Sequence, residues 1–243
     1  MLSTTKYIFS IGLLLISLLV SGQDEKPKTE EKVKPPRKDF KPTGIRVGTD
    51  LLDLVKTGAT KTFKGWELNG DIDFANYYLT ADIGSWAKDL DLNNGHYSNN
   101  GNYFRLGVDI NLLGKDPDKN MFFFGFRVGR SFFNESLQYN ATSSSASVPY
   151  SIFPSTSYNL TNNGARGGWA ELTTGLRVKV WKGLWMGYTA RMKFAPSTKG
   201  GSGQISPYDM PGYGIVSKTP WWGFNYQVFW RFAWKKDKPL PKK

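Results

Sequence analysis

The sequence contains no cysteine. Disulfides, thiolate metal sites and a lipid anchor on an N-terminal cysteine are therefore excluded. Histidine is nearly as scarce, at one residue, and no His/Asp/Glu cluster shows metal-ligand spacing. The stretch that echoes a cation loop, DPDKN (Asp116 to Asn120), has Met121 where a calcium loop needs glycine and Arg127 where it needs a closing glutamate, so it reads as a turn. No glycine-rich phosphate loop follows a strand and opens a helix. A helix long enough to cross a membrane is missing too: the apolar run Tyr7–Val20 has fourteen residues, against the roughly 20 a spanning helix needs. Neither a metal nor a cofactor is expected, and ordinary soluble enzyme classes find no support.

What is present sorts the chain into parts. Lys6, the apolar run Tyr7–Val20 and the small residues Ser21 and Gly22 form a secretory signal peptide over residues 1–22, cleaved on export. Residues 23–43 are a Lys/Glu/Pro mixture with too little apolar surface to offset the entropy of ordering, hence a flexible tether. Residues 44–234 form the folded domain, and 235–243 (KKDKPLPKK) a basic tail. The formal net charge is +12, but much of the excess sits in the two terminal segments with little aromatic interleaving, which argues against nucleic acid.

Within 44–234 the dominant signal is period-two alternation broken by Gly, Asn, Ser and Pro clusters. Phe104, Leu106, Val108, Ile110 and Leu112 oppose Arg105, Gly107, Asp109 and Asn111. In MFFFGFRVGRSFF, Phe122, Phe124, Phe126 and Val128 oppose Phe123, Gly125, Arg127, Gly129 and Ser131. Trp66–Phe74, Trp169–Val180, Leu184–Phe194 and Trp222–Trp234 alternate likewise, and the weaker Ile45–Val55 and Tyr77–Trp86 bring the expected strands to eight. Connections alternate as well. VKTGATKTF, the stretch around LDLNNGHYSNNG, Asn134–Gly167 and Pro196–Pro220 are long, whereas Ala75–Asn76, GKDPDKN and WKG are short. Long loops on one side and short turns plus both termini on the other is the arrangement of outer-membrane barrels. Extra pairing inside Asn134–Gly167 would make ten strands instead of eight.

Alternation alone does not say which solvent meets the oily face. A lipocalin-like barrel points it inward at a ligand; a membrane barrel points it at lipid. Three features favour lipid. The polar face holds charges of both signs, Asp71, Asp73, Asp82 and Asp109 with Arg105, Arg127, Arg177 and Arg191, and repeated glycines, as suits the side-chain-filled interior of an eight-stranded barrel. Trp66, Trp86, Trp181, Trp185, Trp221, Trp222 and Trp234 fall near strand ends, where a membrane boundary favours such rings. The final strand, FNYQVFWRFAW, resembles the aromatic C-terminal strand by which exported barrels are recognised for insertion. The expected fold is therefore all-β, an eight-stranded antiparallel up-and-down transmembrane β-barrel of the outer-membrane type. Arg130 lies on the outward face, roughly 26 Å along the strand from Phe122. There it either pairs with lipopolysaccharide phosphates or snorkels to water.

The tetrapeptide HYSN (His96 to Asn99) resembles the His-x-Ser-Asn stretch of outer-membrane lipid A deacylases. That resemblance implies His96 as base, Ser98 as nucleophile and Asp109 as orienting acid. The competing reading is a turn. The signal ending SGQ, the first strand GIRVGTDLLDL and the run YSNNGNYFRLGVDINL resemble small outer-membrane barrels of Bacteroidota, which implies a location more than an activity. The leading expectation is a non-enzymatic structural or accessory component of an envelope complex, in contact with outer-membrane lipid and lipopolysaccharide and with periplasmic or outer-membrane proteins, but not with nucleic acid. The deacylase and a narrow channel are the alternatives.

Overall fold

The computed structural model describes residues 41–114, 116, 118–142, 155–200 and 205–234. The expected signal peptide, the tether up to residue 40 and the basic tail lie outside the described residues. The elements are β1 (Gly44–Asp50), α1 (Leu51–Ala59), β2 (Phe63–Phe74), β3 (Tyr77–Leu92), β4 (Gly95–Asn111), β5 (Met121–Thr142), β6 (Ser155–Trp181), β7 (Leu184–Gly200), β8 (Asp209–Met210), β9 (Gly214–Ile215) and β10 (Trp221–Ala233). Eight of them close an antiparallel barrel in the order β1-β10-β7-β6-β5-β4-β3-β2, while β8 and β9 form a separate two-stranded ribbon. The wall is thus the expected eight strands. Asn134–Gly167 adds none, because its described part prolongs β5 and β6 as one hairpin, with Glu135–Thr142 paired to Ser155–Asn162.

Each strand obeys the period-two rule with the apolar side chains outward. Phe124, Phe126 and Val128 of β5 are about half exposed, whereas Phe123 and Arg127 between them are buried. Across the belt the outward positions are uncharged on every strand: Ile45–Thr49, Trp66–Phe74, Tyr77–Ile83, Phe104–Ile110, Phe122–Val128, Ala170–Val180, Leu184–Phe194 and Trp222–Phe232, taken at alternate residues. At the end carrying the chain termini, Arg231 bridges Asp73 at 3.0 Å, and Asp73 also accepts from the backbone nitrogens of Thr43 and Gly44. Asp73 therefore ties the start of the barrel to its last strand.

The structure corrects four expectations. Ile45–Val55 is not one strand, because Asp50 ends it by accepting from the backbone N of Leu52 (3.0 Å) and capping α1. The Leu92–Gly95 connection is a tight hairpin, so HYSN sits in β4 and not in a turn. Part of Pro196–Pro220 folds back into the barrel mouth, where Met210 and Tyr213 are fully buried. Trp185 belongs to the interior and Trp86 packs against that mouth cluster, whereas Trp66, Trp181, Trp222 and Trp234 do stand exposed on the outside.

Helix α1 mends a gap in the wall. β1 pairs with β10 only from Gln227 to Ala233, and with β2 only from Leu68 to Ile72. Beyond that height Trp221–Tyr226 and Phe63–Glu67 are not paired in register with β1, whose only reach there is the Thr49 hydroxyl donating to Glu67 O at 2.8 Å. Side chains from α1 and its cap bind those free edges instead. Asp50 accepts from Tyr226 N (3.1 Å), and Thr57 Oγ1 both accepts from Gly65 N and donates to Gly65 O, each at 2.8 Å. These side chains supply the edge partners that β1 does not.

Candidate functional site

The interior is the place where this sequence spends its charge. At the terminal end, Tyr78, Met121, Phe123, Trp185 and Phe229 are buried and form a floor. Arg46 stacks over the rings of Tyr78 (4.7 Å) and Trp185 (5.2 Å), and Arg177 over Phe123 and Phe229 (4.8 Å each). Above the floor runs a continuous column of ion pairs. Arg46 binds Asp71 (2.8 Å), Asp71 binds Arg177 (2.6 Å), Arg177 reaches Asp109 (3.4 Å), and Asp109 binds Arg127 (2.9 Å). Arg127 pairs with Asp82, which also lies 3.4 Å from both Arg105 and Arg191. Arg105 pairs with Glu67, and Arg191 with Glu171 at 3.1 Å. Five arginines and five carboxylates thus neutralise one another, all with side chains no more than 3% exposed.

The loop end is closed by the returning segment. Met210 and Tyr213 pack on Tyr103, Phe133, Ala165 and Trp169. Polar contacts hold it as well: Lys193 Nζ donates to the carbonyls of Gly212 (2.7 Å) and Tyr213 (3.1 Å), and Asn99 Nδ2 donates to that of Asp209 (2.6 Å). Glu135 Oε1 accepts from Tyr208 N (2.9 Å) and Asp209 N (3.1 Å), and from the Tyr97 hydroxyl (2.7 Å). Lys88 pairs with Asp209. Gly212 needs its glycine, with φ at +81° and Tyr103 and Trp169 against it. Floor and ion-pair column fill the lower interior, while beside the plug a cleft of about 620 Å³, bordered by Leu52 and Asp53 of α1, Lys193 and Gly212, reaches Glu67 and Arg105.

The expected lumen residues Asp71, Asp82, Arg105, Asp109, Arg127, Arg177 and Arg191 all stand in this column, and Asp73 lies below it at the terminal seam. Arg46, Glu67 and Glu171 complete it. Glu67 and Glu171 share the parity of the residues named from sequence, so the alternation carried the signal; Arg46 was hidden in the weakest strand.

The three residues implied by the deacylase resemblance are not assembled. His96 and Ser98 project outward from β4, since Tyr97 and Asn99, which alternate with them, are buried. Both ring nitrogens of His96 face carboxylates, Nδ1 at 2.9 Å from Asp91 and Nε2 at 2.7 Å from Asp89. Ser98 Oγ lies 3.5 Å from Ser136 Oγ. Asp109 is on the inward face, thirteen residues further along β4, roughly 43 Å at the usual strand rise, and is held by two arginines. The hydrogen bond to Asp91 raises the His96 pKa, burial opposes slightly, and the charges of Asp89 and Asp91 add to the rise. Arg130 is outward and exposed, opposite Gly168 of β6.

The model of a single family, described as a domain of unknown function (DUF6048), matches residues 4–236. The chain belongs to this DUF6048 family. No curated protein matches it. Among solved structures it is similar to Acinetobacter baumannii CarO2, with a TM-score of 0.35 and 14% identity, over 79% of this chain and 98% of that one. It is also similar to Acinetobacter baumannii CarO, with a TM-score of 0.36 and 11% identity, over 81% and 99%. The DUF6048 match takes in the whole barrel, so the charged column and the plug both fall inside the family's domain.

Proposed function

We propose that the protein is an integral β-barrel of the outer membrane, exported by its signal peptide, that serves as a structural or accessory component of the envelope and not as a conduit. One observation carries this: an uncharged apolar belt on all eight strands encloses an interior in which five arginines and five carboxylates are mutually paired. Water outside would leave the belt unpaid for by any burial, whereas hydrocarbon outside and charge inside suit both faces. Eight strands leave room inside for side chains and little else, and below the cleft beside the plug the ion-pair column and the floor fill the lumen. The resemblance to Bacteroidota barrels accords with this location. The β5–β6 hairpin, which continues past Phe132 to Thr142 on one strand and from Ser155 on the other, offers a surface for a partner.

Reconstitution of the full chain into planar bilayers tests the proposal. The expected result is insertion without steady conductance. A stable open conductance that responds to substitutions of Arg127 or Arg191 would overturn it in favour of a channel.

A further inference from the structure

Arg130 does not stand alone on the outer surface. On β5 it pairs in register with Gly168 of β6, and Gly168 pairs on its other side with Ser197 of β7. One step further from the belt, Arg166 of β6 lies between Phe132 and Lys199. Arg130, Arg166, Gly168, Ser197 and Lys199 line one groove of about 450 Å³, and no carboxylate lines it. Among the described residues none of the three cations makes an ion pair; the Arg166 guanidinium rests 6.0 Å from the Phe132 ring. The floor is open because Gly168 has no side chain, and a β-carbon there would meet only the Gly129 carbonyl oxygen, at an ordinary 3.5 Å.

Its height matters as much as its charge. Directly toward the terminal end on the same outward face come Val128, Ala170 and Phe194, the upper rim of the apolar belt. A ligand seated on the three cations would therefore extend its apolar part down the wall. From the charge, the open floor and the position we infer that this groove is a binding site for the phosphorylated headgroup of an outer-leaflet glycolipid, its acyl chains lying along Val128, Leu172 and Phe194. Two guanidinium forks and an ammonium match several phosphate oxygens at once, which a headgroup with a single phosphate does not use fully. The inference rests on the proposed membrane location, and it assigns the lipid that the location would supply.

The test uses the full chain folded in detergent, with bis-phosphorylated lipid A as probe and native mass spectrometry as readout. Wild type should retain lipid A, and the triple variant Arg130→Gln, Arg166→Gln, Lys199→Gln should lose at least about tenfold in affinity. Gly168→Val keeps every cation but fills the floor, and should lose retention as well. Dephosphorylated lipid A should bind no better to wild type than to the triple variant. Equal retention by wild type and both variants, or indifference to the phosphates, overturns the assignment. So does full displacement by phosphatidylglycerol or by millimolar inorganic phosphate, which would mark a general anion site. Heat-modifiable migration of each variant on gels confirms folding. Failure of the wild type itself to fold in detergent would sink the membrane location, a result distinct from loss of lipid binding by a folded barrel.

Discussion

Asp82 accepts from Arg127 and lies within 3.4 Å of Arg105 and Arg191, so removing its carboxylate leaves three buried guanidiniums short of a counter-charge. Breaking a buried pair from one side costs about 3–5 kcal/mol, because the partner charge stays behind. Asp82→Ala should therefore lower the urea midpoint by that amount in stability. Asp118→Ala, which breaks only the exposed contact to Lys179, should shift it by less than about 1 kcal/mol. His96 makes a second prediction at this scale. Its pKa is raised in the folded chain, so its stabilising contribution is complete below the ordinary histidine value and is lost as pH rises through the raised one. An NMR titration of the sole histidine should show the elevated midpoint, and Asp91→Asn should bring it down; no change would mean that the Asp91 hydrogen bond does not form in solution. Most of the column could be read before folding, since parity alone puts Asp71, Asp82, Arg105, Asp109, Arg127 and Arg177 on one face. Pairing could not be read, because it depends on which strands stand opposite across the interior: Arg191 meets Glu171 from the adjacent strand but Asp82 and Glu67 from across the barrel.

At the scale of elements, the sequence revealed strands where they cross the apolar belt and lost them above it. β5 has 22 residues and β6 has 27, yet only Met121–Phe133 and Trp169–Val180 alternate clearly. Past the belt both faces of a hairpin meet polar surroundings, so nothing forces a period of two. Helix α1 was missed for another reason: LLDLV is too short an apolar run to separate by period from the strand before it, and the Asp50 cap decides for the helix. The returning plug gave no periodic signal, and its clue was a glycine. A β-carbon at Gly167 would fall on the Met210 sulfur, so Gly167→Leu should expel Met210, at a cost of about 1.5–3 kcal/mol for the lost burial. Hydrogen exchange at the Tyr208, Asp209 and Tyr213 amides, each bonded in the docked plug, should then speed up while the β3–β4 amides stay protected. Unchanged exchange at those three amides would show that Met210 does not anchor the segment.

The whole molecule has a direction, and that direction follows from where its short and long connections fall. Thr43 and Trp234 are bonded to each other at one end, together with the turns at Ala75–Asn76 and Lys182–Gly183. The β5–β6 hairpin and the plug mark the other end. Outer-membrane barrels have short periplasmic turns and longer outer loops, so at the proposed location the termini and tight turns lie at the periplasmic end. The absence of cysteine makes this open to a clean test. Asn159→Cys, on the exposed part of β6, should react with a membrane-impermeant thiol reagent in intact cells, and Asp118→Cys, in the turn between β4 and β5, only after the outer membrane is permeabilised. Arg130, at the belt's upper rim on the Asn159 side, would then lie in the outer leaflet, where a phosphorylated glycolipid can reach it. The reverse labelling pattern would invert the barrel and remove the glycolipid from that groove, while leaving the ion-pair column untouched.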